Sequence, residues 1–307
     1  MLWHDADGCV PMKQDSRRTT IATTDGVALS VQILGCGEPV IFLHEFSGDL
    51  LSWAPQVEAL SARYQCICFN ARGYPPSQVP VSLDAYSQER AADDVADVMD
   101  ALGVGSASIV GLSMGGFATL HVAIRHPTRA RALVVAGCGY GAKPADQASH
   151  FAVMNREADH VESIGMSAYA RELGDSGYAQ PLRAKDEAAW RQFTQQLTAH
   201  SAQGMAMTLR GVLARRPSLW HLEPQLARIS QPVLLVTGDE DEPCIEPNLF
   251  LRRVLPDCAL AVMPRTGHLI NLEEPRDFNA LIESYLGAVS DGSWHRIKAS
   301  IPSKGVP

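Results

Sequence analysis

The stretch Gly111-Leu112-Ser113-Met114-Gly115-Gly116 decides the fold of this chain. It follows a strand-like run at residues 106–110 and opens a helical pattern, so the motif Gly-x-Ser-x-Gly sits between a strand and a helix. This arrangement is the nucleophile elbow, which presents the serine hydroxyl at the end of the strand. The glycines are needed because so sharp a turn leaves no room for β-carbons beside the serine. A glycine-rich turn that only packs a helix on a strand is the alternative, but the context favours Ser113 as a nucleophile.

Hydrophobic patterns predict a large sheet around this strand. The other expected strands are residues 19–24, 27–34, 40–43, 65–69, 132–136, 233–237 and 259–263. Asp25-Gly26 predicts a hairpin between the first two, so the sheet begins antiparallel. Later strands are apolar throughout, as in a parallel sheet that helices cover on both faces. Helical patterns at residues 51–62, 87–102, 114–126, 247–254 and 275–289 separate the strands. The expected fold class is α/β, with a mostly parallel, doubly wound sheet of eight strands.

The alternation of strands and helices stops between residues 139 and 230. Helical patterns replace it at residues 145–161, 167–173, 186–200 and 204–215. The block is too long for a loop, so we interpret residues 139–230 as a helical lid over one end of the sheet. Residues 19–138 and 231–289 then form the core. Residues 1–18 and 290–307 are expected to be terminal tails.

Composition excludes several classes of protein. The 307 residues are 46% hydrophobic and 20% charged, which is typical of a globular protein. The formal charge is −8 and no stretch concentrates Lys and Arg, so nucleic acid is not an expected partner. No apolar run approaches the ~20 residues of a membrane span, and the first 18 residues do not resemble a secretory signal. We expect a cytoplasmic monomer or homodimer that acts on a small molecule.

The cysteines and glycines give no sign of a metal or a cofactor. The seven cysteines are scattered without a Cys-x-x-Cys pair, which predicts neither a zinc site nor a disulfide framework. They are expected to be buried, unreactive thiols. The segment Gly137-Cys138-Gly139-Tyr140-Gly141 lacks the spacing of a dinucleotide-binding loop.

A serine nucleophile needs a base, and ten histidines are available. His268 lies after the last predicted strand and before the last helix, at the carboxyl edge where open α/β sheets keep their sites. The remaining histidines fall in helices, in the insertion or near the termini, with the exception of His44. His268 is therefore the predicted general base.

A carboxylate must orient that imidazole. Four acidic residues follow the strand at residues 233–237, namely Asp239, Glu240, Asp241 and Glu242. Spacing alone does not choose among them. The loop after residues 132–136 contains no acidic residue. An acid after the seventh strand gives the chain order serine, acid, histidine, which is the order found in α/β-hydrolases.

From Gly48-Asp49-Leu50-Leu51-Ser52-Trp53, Arg72-Gly73 and the elbow, the chain resembles an α/β-hydrolase over residues 19–289. The resemblance is to the esterase, enol-lactonase and carbon–carbon hydrolase group. In that group the acid loop has the form Gly-x-x-Asp, which implies Asp241 as the acid, with Asp239 as the second choice. The resemblance implies that no cofactor is required.

An oxyanion hole needs two preorganised donors. One is the backbone N–H after the nucleophile, here that of Met114. The resemblance implies the N–H of Phe46 as the second donor and a bracing role for His44. The chain departs from the family at Glu45, where glycine is usual, so this carboxylate must turn away, be neutralised or handle substrate.

These residues predict a serine hydrolase that cleaves a small carboxylic ester or lactone through an acyl-enzyme. Cleavage of an amide, or of a carbon–carbon bond in a small acidic metabolite, is an alternative, although carbon–carbon hydrolases of the group generally have Asn where Leu112 stands. A small-molecule receptor that keeps the triad is a further alternative. Arginines of the predicted lid leave room for an anionic substrate; they are Arg156, Arg183, Arg191, Arg210, Arg215 and Arg216.

Overall fold

Eight strands form one sheet in the spatial order β1-β2-β4-β3-β5-β6-β7-β8, in a computed structural model that describes residues 16–294. The strands are β1 (Arg17–Ala22), β2 (Ala28–Leu34), β3 (Glu38–Leu43), β4 (Tyr64–Phe69), β5 (Ala107–Leu112), β6 (Ala130–Ala136), β7 (Val233–Gly238) and β8 (Cys258–Met263). Strand β2 is antiparallel to both of its neighbours, and β3 to β8 are parallel. The predicted fold class is confirmed.

Helices cover the sheet and fill the interval between β6 and β7. They are α1 (Ala54–Leu60), α2 (Gln88–Ala101), α3 (Met114–Arg125), α4 (Gln147–Asp175), α5 (Gln180–Lys185), α6 (Glu187–Thr198), α7 (Ala202–Thr208), α8 (Glu223–Leu226), α9 (Glu242–Val254), α10 (Ile270–Glu273) and α11 (Pro275–Ser290). A wider helical turn, Leu209–Leu213, continues α7. We call residues 139–230 the helical insertion.

One helix agrees with a predicted break and another differs from the sequence pattern. Helix α4 spans the predicted segments 145–161 and 167–173, and its backbone is non-helical between them at Gly165, whose φ of 72° only glycine adopts easily. Helix α9 begins at Glu242 and runs through Pro247, where the pattern predicted a start. Pro247 is buried and packs closely against Gly139, so tertiary contact outweighs the preference of proline for the first turn of a helix.

Alternating side chains of the central strands supply two apolar layers. Ile109 and Leu133 belong to the layer beneath α2 and α3, whereas Val110 and Val134 belong to the layer beneath α1 and α11. A third apolar cluster, which includes Met154, lies mainly within the helical insertion. Because both faces of the sheet are covered, functional side chains can meet only at its edges.

The ends of the described chain lie close to the predicted tail boundaries. Strand β1 begins at Arg17, inside the segment expected to be a tail. At the other end, Trp294 packs on Tyr285 with ring centroids 4.8 Å apart and donates to Asp257 over 3.0 Å. The remainder of the two predicted tails, residues 1–15 and 295–307, lies outside the described residues.

The cysteine expectation holds in part. Five cysteines are buried thiols: Cys66, Cys68, Cys138, Cys244 and Cys258. Cys36 is disulfide-bonded, which corrects the expectation of thiols throughout. No helix among residues 16–294 has the length and apolar character of a membrane span.

Candidate active site

Ser113 stands in the turn between β5 and α3 with φ 54° and ψ −111°. This left-handed conformation is strained for any residue other than glycine. The turn is held by the N–H of Ser113, which donates to Ala136 O over 2.8 Å. A β-carbon at Gly115 would overlap the carbonyl of Leu43, and one at Gly111 would overlap the carbonyl of Gly115. The glycines of the motif therefore have the steric function expected of a nucleophile elbow.

His268 and Asp241 meet at the carboxyl edge of the sheet. His268 lies between β8 and α10, and Asp241 lies between β7 and α9. Nδ1 of His268 is 2.7 Å from Oδ2 of Asp241. Burial alone would lower the pKa of His268, but the hydrogen bond and charge of Asp241 outweigh it and raise that pKa above its usual value. This pair can accept a proton and stabilise the resulting imidazolium.

The other acidic residues of the loop have different environments. Oδ1 of Asp239 accepts a hydrogen bond from the N–H of Thr266 over 3.1 Å, which ties the two loops together. Glu240 and Glu242 are exposed. Of the four carboxylates that spacing left open, the structure brings Asp241 to the imidazole.

Ser113, His268 and Asp241 line one cavity of about 530 Å³ between the sheet edge and the helical insertion. Within residues 16–294, neither Ser113 Oγ nor His268 Nε2 forms a hydrogen bond, so the serine and the imidazole share the cavity without being bonded to each other. Catalytic hydrogen bonds often tighten only when the substrate is in place. The volume suits a small molecule.

Hydrogen bonds fix the loop that follows β3. Nε2 of His44 accepts from the N–H of Ala71 over 3.0 Å, so Nδ1 carries the proton and donates to the carbonyl of Glu45 over 2.7 Å. The N–H of Gly48 donates to the same carbonyl over 3.1 Å. Because a trans peptide points its C=O and N–H in opposite directions, these bonds also fix the N–H of Phe46. Burial lowers the pKa of His44 to about 4, so it braces the loop as a neutral ring.

The two predicted oxyanion donors lie on neighbouring segments. Phe46 lines the cavity that Ser113 and His268 share, and its carbonyl accepts from the hydroxyl of Tyr74 over 2.8 Å. Met114 is the first residue of α3, where the N–H has no partner within the helix. Strands β3 and β5 pair directly, with Leu43 opposite Gly111, so the two segments begin side by side. Their role as donors stays a prediction.

Glu45, the departure from the family pattern, is completely buried. Its carboxyl packs against Gly48 and the hydroxyl of Ser52, and neither oxygen has a hydrogen-bond partner among residues 16–294. Burial raises the pKa of Glu45 to about 7. The carboxyl is therefore largely neutral on the acid side of pH 7. When it is ionised, its negative charge contributes to the raised pKa of the His268 imidazole.

Sequence reasoning assigned no role to two residues that support the site. Glu273 is buried and accepts from the N–H of Gly267 over 2.7 Å and of Leu269 over 3.0 Å, on both sides of His268. Tyr178, from the helical insertion, shares a 2.7 Å hydrogen bond with Ser47, and its ring centroid lies 5.3 Å from that of His268. A glutamate five residues after the histidine is a usable signal for the first, whereas the sequence gives none for the second.

Donor atoms of Asp241, Cys244 and His268 lie within 4.8 Å of one another, so we considered a metal site. Nδ1 of His268 is already hydrogen-bonded to Asp241. Burial raises the pKa of the Cys244 thiol well above its usual value, and its sulfur contacts the carbonyl of Gly137 at 3.3 Å. The cluster fits an acid–histidine pair beside an inert thiol better than a set of metal ligands.

Comparisons with known proteins identify the family to which this fold belongs. Residues 38–275 match the model of the α/β-hydrolase fold family. The chain therefore belongs to the α/β-hydrolase family and is a hydrolase of this class.

Curated relatives span nearly the whole chain. It is 27% identical to a putative 2-succinyl-6-hydroxy-2,4-cyclohexadiene-1-carboxylate synthase of Bacillus subtilis, over 88% of this chain and 98% of that protein. It is 26% identical to 3-oxoadipate enol-lactonase 1 of Acinetobacter baylyi, over 88% of this chain and 97% of that protein. Among solved structures, a thermophilic esterase from Thermogutta terrifontis is 26% identical with a TM-score of 0.78, over 89% of this chain and 99% of that one.

Proposed function

We propose that this protein is a serine hydrolase that cleaves a small carboxylic ester or lactone with Ser113, His268 and Asp241. The observation that carries the proposal is the 2.7 Å contact between His268 and Asp241 in a cavity that Ser113 also lines from a strained elbow. A nucleophile, a base and an orienting acid at one point are what acyl transfer requires.

The reaction proceeds in two halves. Ser113 Oγ adds to the carbonyl carbon while its proton moves to Nε2 of His268, and Asp241 stabilises the imidazolium. The oxyanion accepts hydrogen bonds from the N–H groups of Phe46 and Met114. Collapse of this intermediate expels the alcohol, which takes the proton from Nε2. Water then attacks the acyl-enzyme, gives a proton to Nε2, and the acid is released as Ser113 recovers its proton.

Two observations favour an ester or lactone bond. The relatives include proteins named as an enol-lactonase and an esterase. In addition, Leu112 precedes the nucleophile, where the carbon–carbon hydrolases that the chain resembles generally have Asn. A proton relay through one neutral histidine also needs no metal or organic cofactor.

The decisive experiment measures hydrolysis of a panel of p-nitrophenyl esters, lactones and amides by the wild type and by Ser113→Ala. Loss of the nucleophile should lower kcat by about 10⁴-fold or more. Ser163→Ala, an exposed serine of α4, is the matched control and should behave as wild type. Full turnover by Ser113→Ala would refute the assignment. A burst of acylation without steady turnover would indicate a receptor instead.

A further inference from the structure

Arg216 places a buried guanidinium in the wall of the catalytic cavity. The residue is only 5% exposed, and it lines the same cavity as Ser113 and His268. Its Nε donates to the carbonyl of Leu213 over 3.2 Å, and its guanidinium carbon lies 4.3 Å from the ring centroid of Phe117. The side chain is thus held by packing and a backbone hydrogen bond.

No acid neutralises this guanidinium within the part of the chain that the structure describes. No carboxylate of residues 16–294 forms an ion pair with it within 4.0 Å. Besides Asp241, which bonds His268, the cavity is lined by the carboxylates of Glu157 and Glu240. Glu157 is half-buried and Glu240 is exposed, so water solvates both. Burial lowers the pKa of Arg216 to about 10, which leaves it charged at neutral pH. A buried charge without a partner is strongly unfavourable unless an anion compensates it.

Other arginines of the helical insertion are satisfied in ordinary ways. Arg210 pairs with Asp159 and Glu162, and Arg191 pairs with Glu187. Arg215, the neighbour of Arg216 in sequence, is exposed to solvent. Arg216 differs from these arginines because it is buried and has neither an acidic partner among the described residues nor bulk water around it. Its charge is therefore available to a group that enters the cavity.

The position of Arg216 limits the distance between that group and the reacting carbonyl. Phe117, on which the guanidinium stacks, follows Ser113 by one turn of α3, about 6 Å along the helix axis. The neighbouring His150 donates Nε2 to the same Leu213 carbonyl, 3.1 Å away, and is neutral because burial and the charge of Arg216 lower its pKa to about 4. Since Arg216 and Ser113 also line the same cavity, one small substrate can place an anion at the guanidinium and a carbonyl at the serine.

We propose that the substrate cleaved at Ser113 carries a carboxylate that binds Arg216 in the catalytic cavity. This inference rests on the proposed function, since it names the class of ester or lactone. A planar carboxylate matches the paired N–H groups of a guanidinium, which form two parallel hydrogen bonds with it.

The kinetic test compares two esters that differ in one charge. One is the mono-p-nitrophenyl ester of adipic acid, and the other is the same ester with a carboxamide in place of the free carboxylate. In the wild type, kcat/KM should be about 10-fold or more higher for the carboxylate ester. Arg216→Met should bring the ratio of the two values close to one, and Arg216→Lys should retain part of it. Arg215→Met is the matched control and should keep the wild-type ratio.

A binding test separates failure of this inference from failure of the proposed function. Calorimetry would measure monomethyl adipate and dimethyl adipate on Ser113→Ala, with and without Arg216→Met. The carboxylate site is supported if Ser113→Ala binds monomethyl adipate but not dimethyl adipate, and if Arg216→Met abolishes that binding. This result would hold even if the protein hydrolysed no ester. Equal wild-type kcat/KM for the two p-nitrophenyl esters, or absence of carboxylate-dependent binding, overturns it. If Arg216→Met does not fold, the wild-type ratio and Arg216→Lys still decide.

Discussion

At the scale of single residues, the loop after β3 combines two functions in Glu45. Its carbonyl accepts from His44 and Gly48 and so fixes the peptide that carries the N–H of Phe46. Its carboxyl lies buried in the same region, and its charge contributes to the raised pKa of His268. Protonation of Glu45 and of the proposed base are therefore coupled.

Asp241→Asn should move the pH dependence of hydrolysis. The base must be neutral, so kcat/KM falls as pH drops through the pKa of His268, which Asp241 holds above its usual value. Without that charge the effect of burial dominates, so the acid limb should shift to lower pH and kcat should fall by about 10³–10⁴-fold. Steady-state pH profiles check this. The control is Asp239→Asn, because Asp239 accepts from Thr266 and not from His268; this variant should leave the inflection of the pH profile in place. An unshifted acid limb in Asp241→Asn would contradict the prediction.

Glu45→Gln should change how stability varies with pH. The folded pKa is raised from 4.5 to about 7, so between these values the folded chain binds a proton that the unfolded chain has released. The free energy of unfolding of the wild type therefore falls as pH rises through this window, by on the order of 3 kcal/mol. The variant should lack this loss and be relatively more stable above pH 7. Urea unfolding at several pH values measures it.

The control for that experiment is Glu58→Gln, an exposed glutamate of α1. It should follow the wild-type dependence of the unfolding free energy on pH. If the Glu45 and Glu58 variants behave alike, the buried carboxyl is not the source of the slope.

At the scale of elements, α10 anchors the loop that presents His268. Glu273, the last residue of this short helix, accepts from the N–H groups of Gly267 and Leu269. A carboxylate suits the position because both of its oxygens are acceptors. The histidine is thereby held from both sides, independently of its bond to Asp241.

Glu273→Gln should loosen this loop. One oxygen of the amide accepts, but its NH₂ group cannot, so one buried backbone N–H loses its partner at a cost of about 1–3 kcal/mol. We expect a lower Tm and a fall in kcat of about 10-fold. Calorimetry and steady-state kinetics measure the two effects. Glu274→Gln alters the adjacent, partly exposed glutamate that pairs with Lys185, and it should leave kcat unchanged. Equal effects of the two variants would exclude the anchoring role.

At the scale of the whole molecule, the cavity exists only because the helical insertion covers the carboxyl edge of the sheet. The sheet side contributes Ser113 and His268, and the insertion contributes residues such as Met154 and Leu213. A hydrogen bond between Tyr178 and Ser47 joins the insertion to the loop after β3. Movement of the insertion would therefore change both the cavity and the region of the Phe46 N–H.

Tyr178→Phe should weaken this connection. Loss of one hydrogen bond, with Ser47 left without its partner, costs about 1 kcal/mol. We expect KM to rise several-fold, with a smaller change in kcat, because the ring that packs near His268 is retained. Steady-state kinetics on the best ester decides. Tyr140→Phe, at an exposed tyrosine of the same cavity, is the control, and KM should stay at the wild-type value there. An unchanged KM in Tyr178→Phe would show that the bond does not hold the insertion.

Much of the fold could be predicted from the sequence because its signals are local. The eight strands and the elbow follow from apolar runs and from glycines that permit a sharp turn, and these depend on neighbouring residues alone. The break at Gly165 also falls in a predicted gap, between residues 161 and 167, because glycine acts locally on the backbone. The passage of α9 through Pro247 could not be predicted, because contacts distant in sequence decide whether that helix continues.

By itself, the sequence determined the α/β fold and pointed to Ser113 and His268 through their places after β5 and β8. Spacing left four carboxylates open, and the resemblance to the family implied Asp241. The tertiary structure brings Asp241 to the imidazole and Asp239 to Thr266. The structure alone also revealed the burial of Glu45 and of Arg216, whose charge meets no carboxylate among residues 16–294. Backbone sterics and periodicity act within a few residues, whereas burial and side-chain pairing join segments that only the folded sheet brings together.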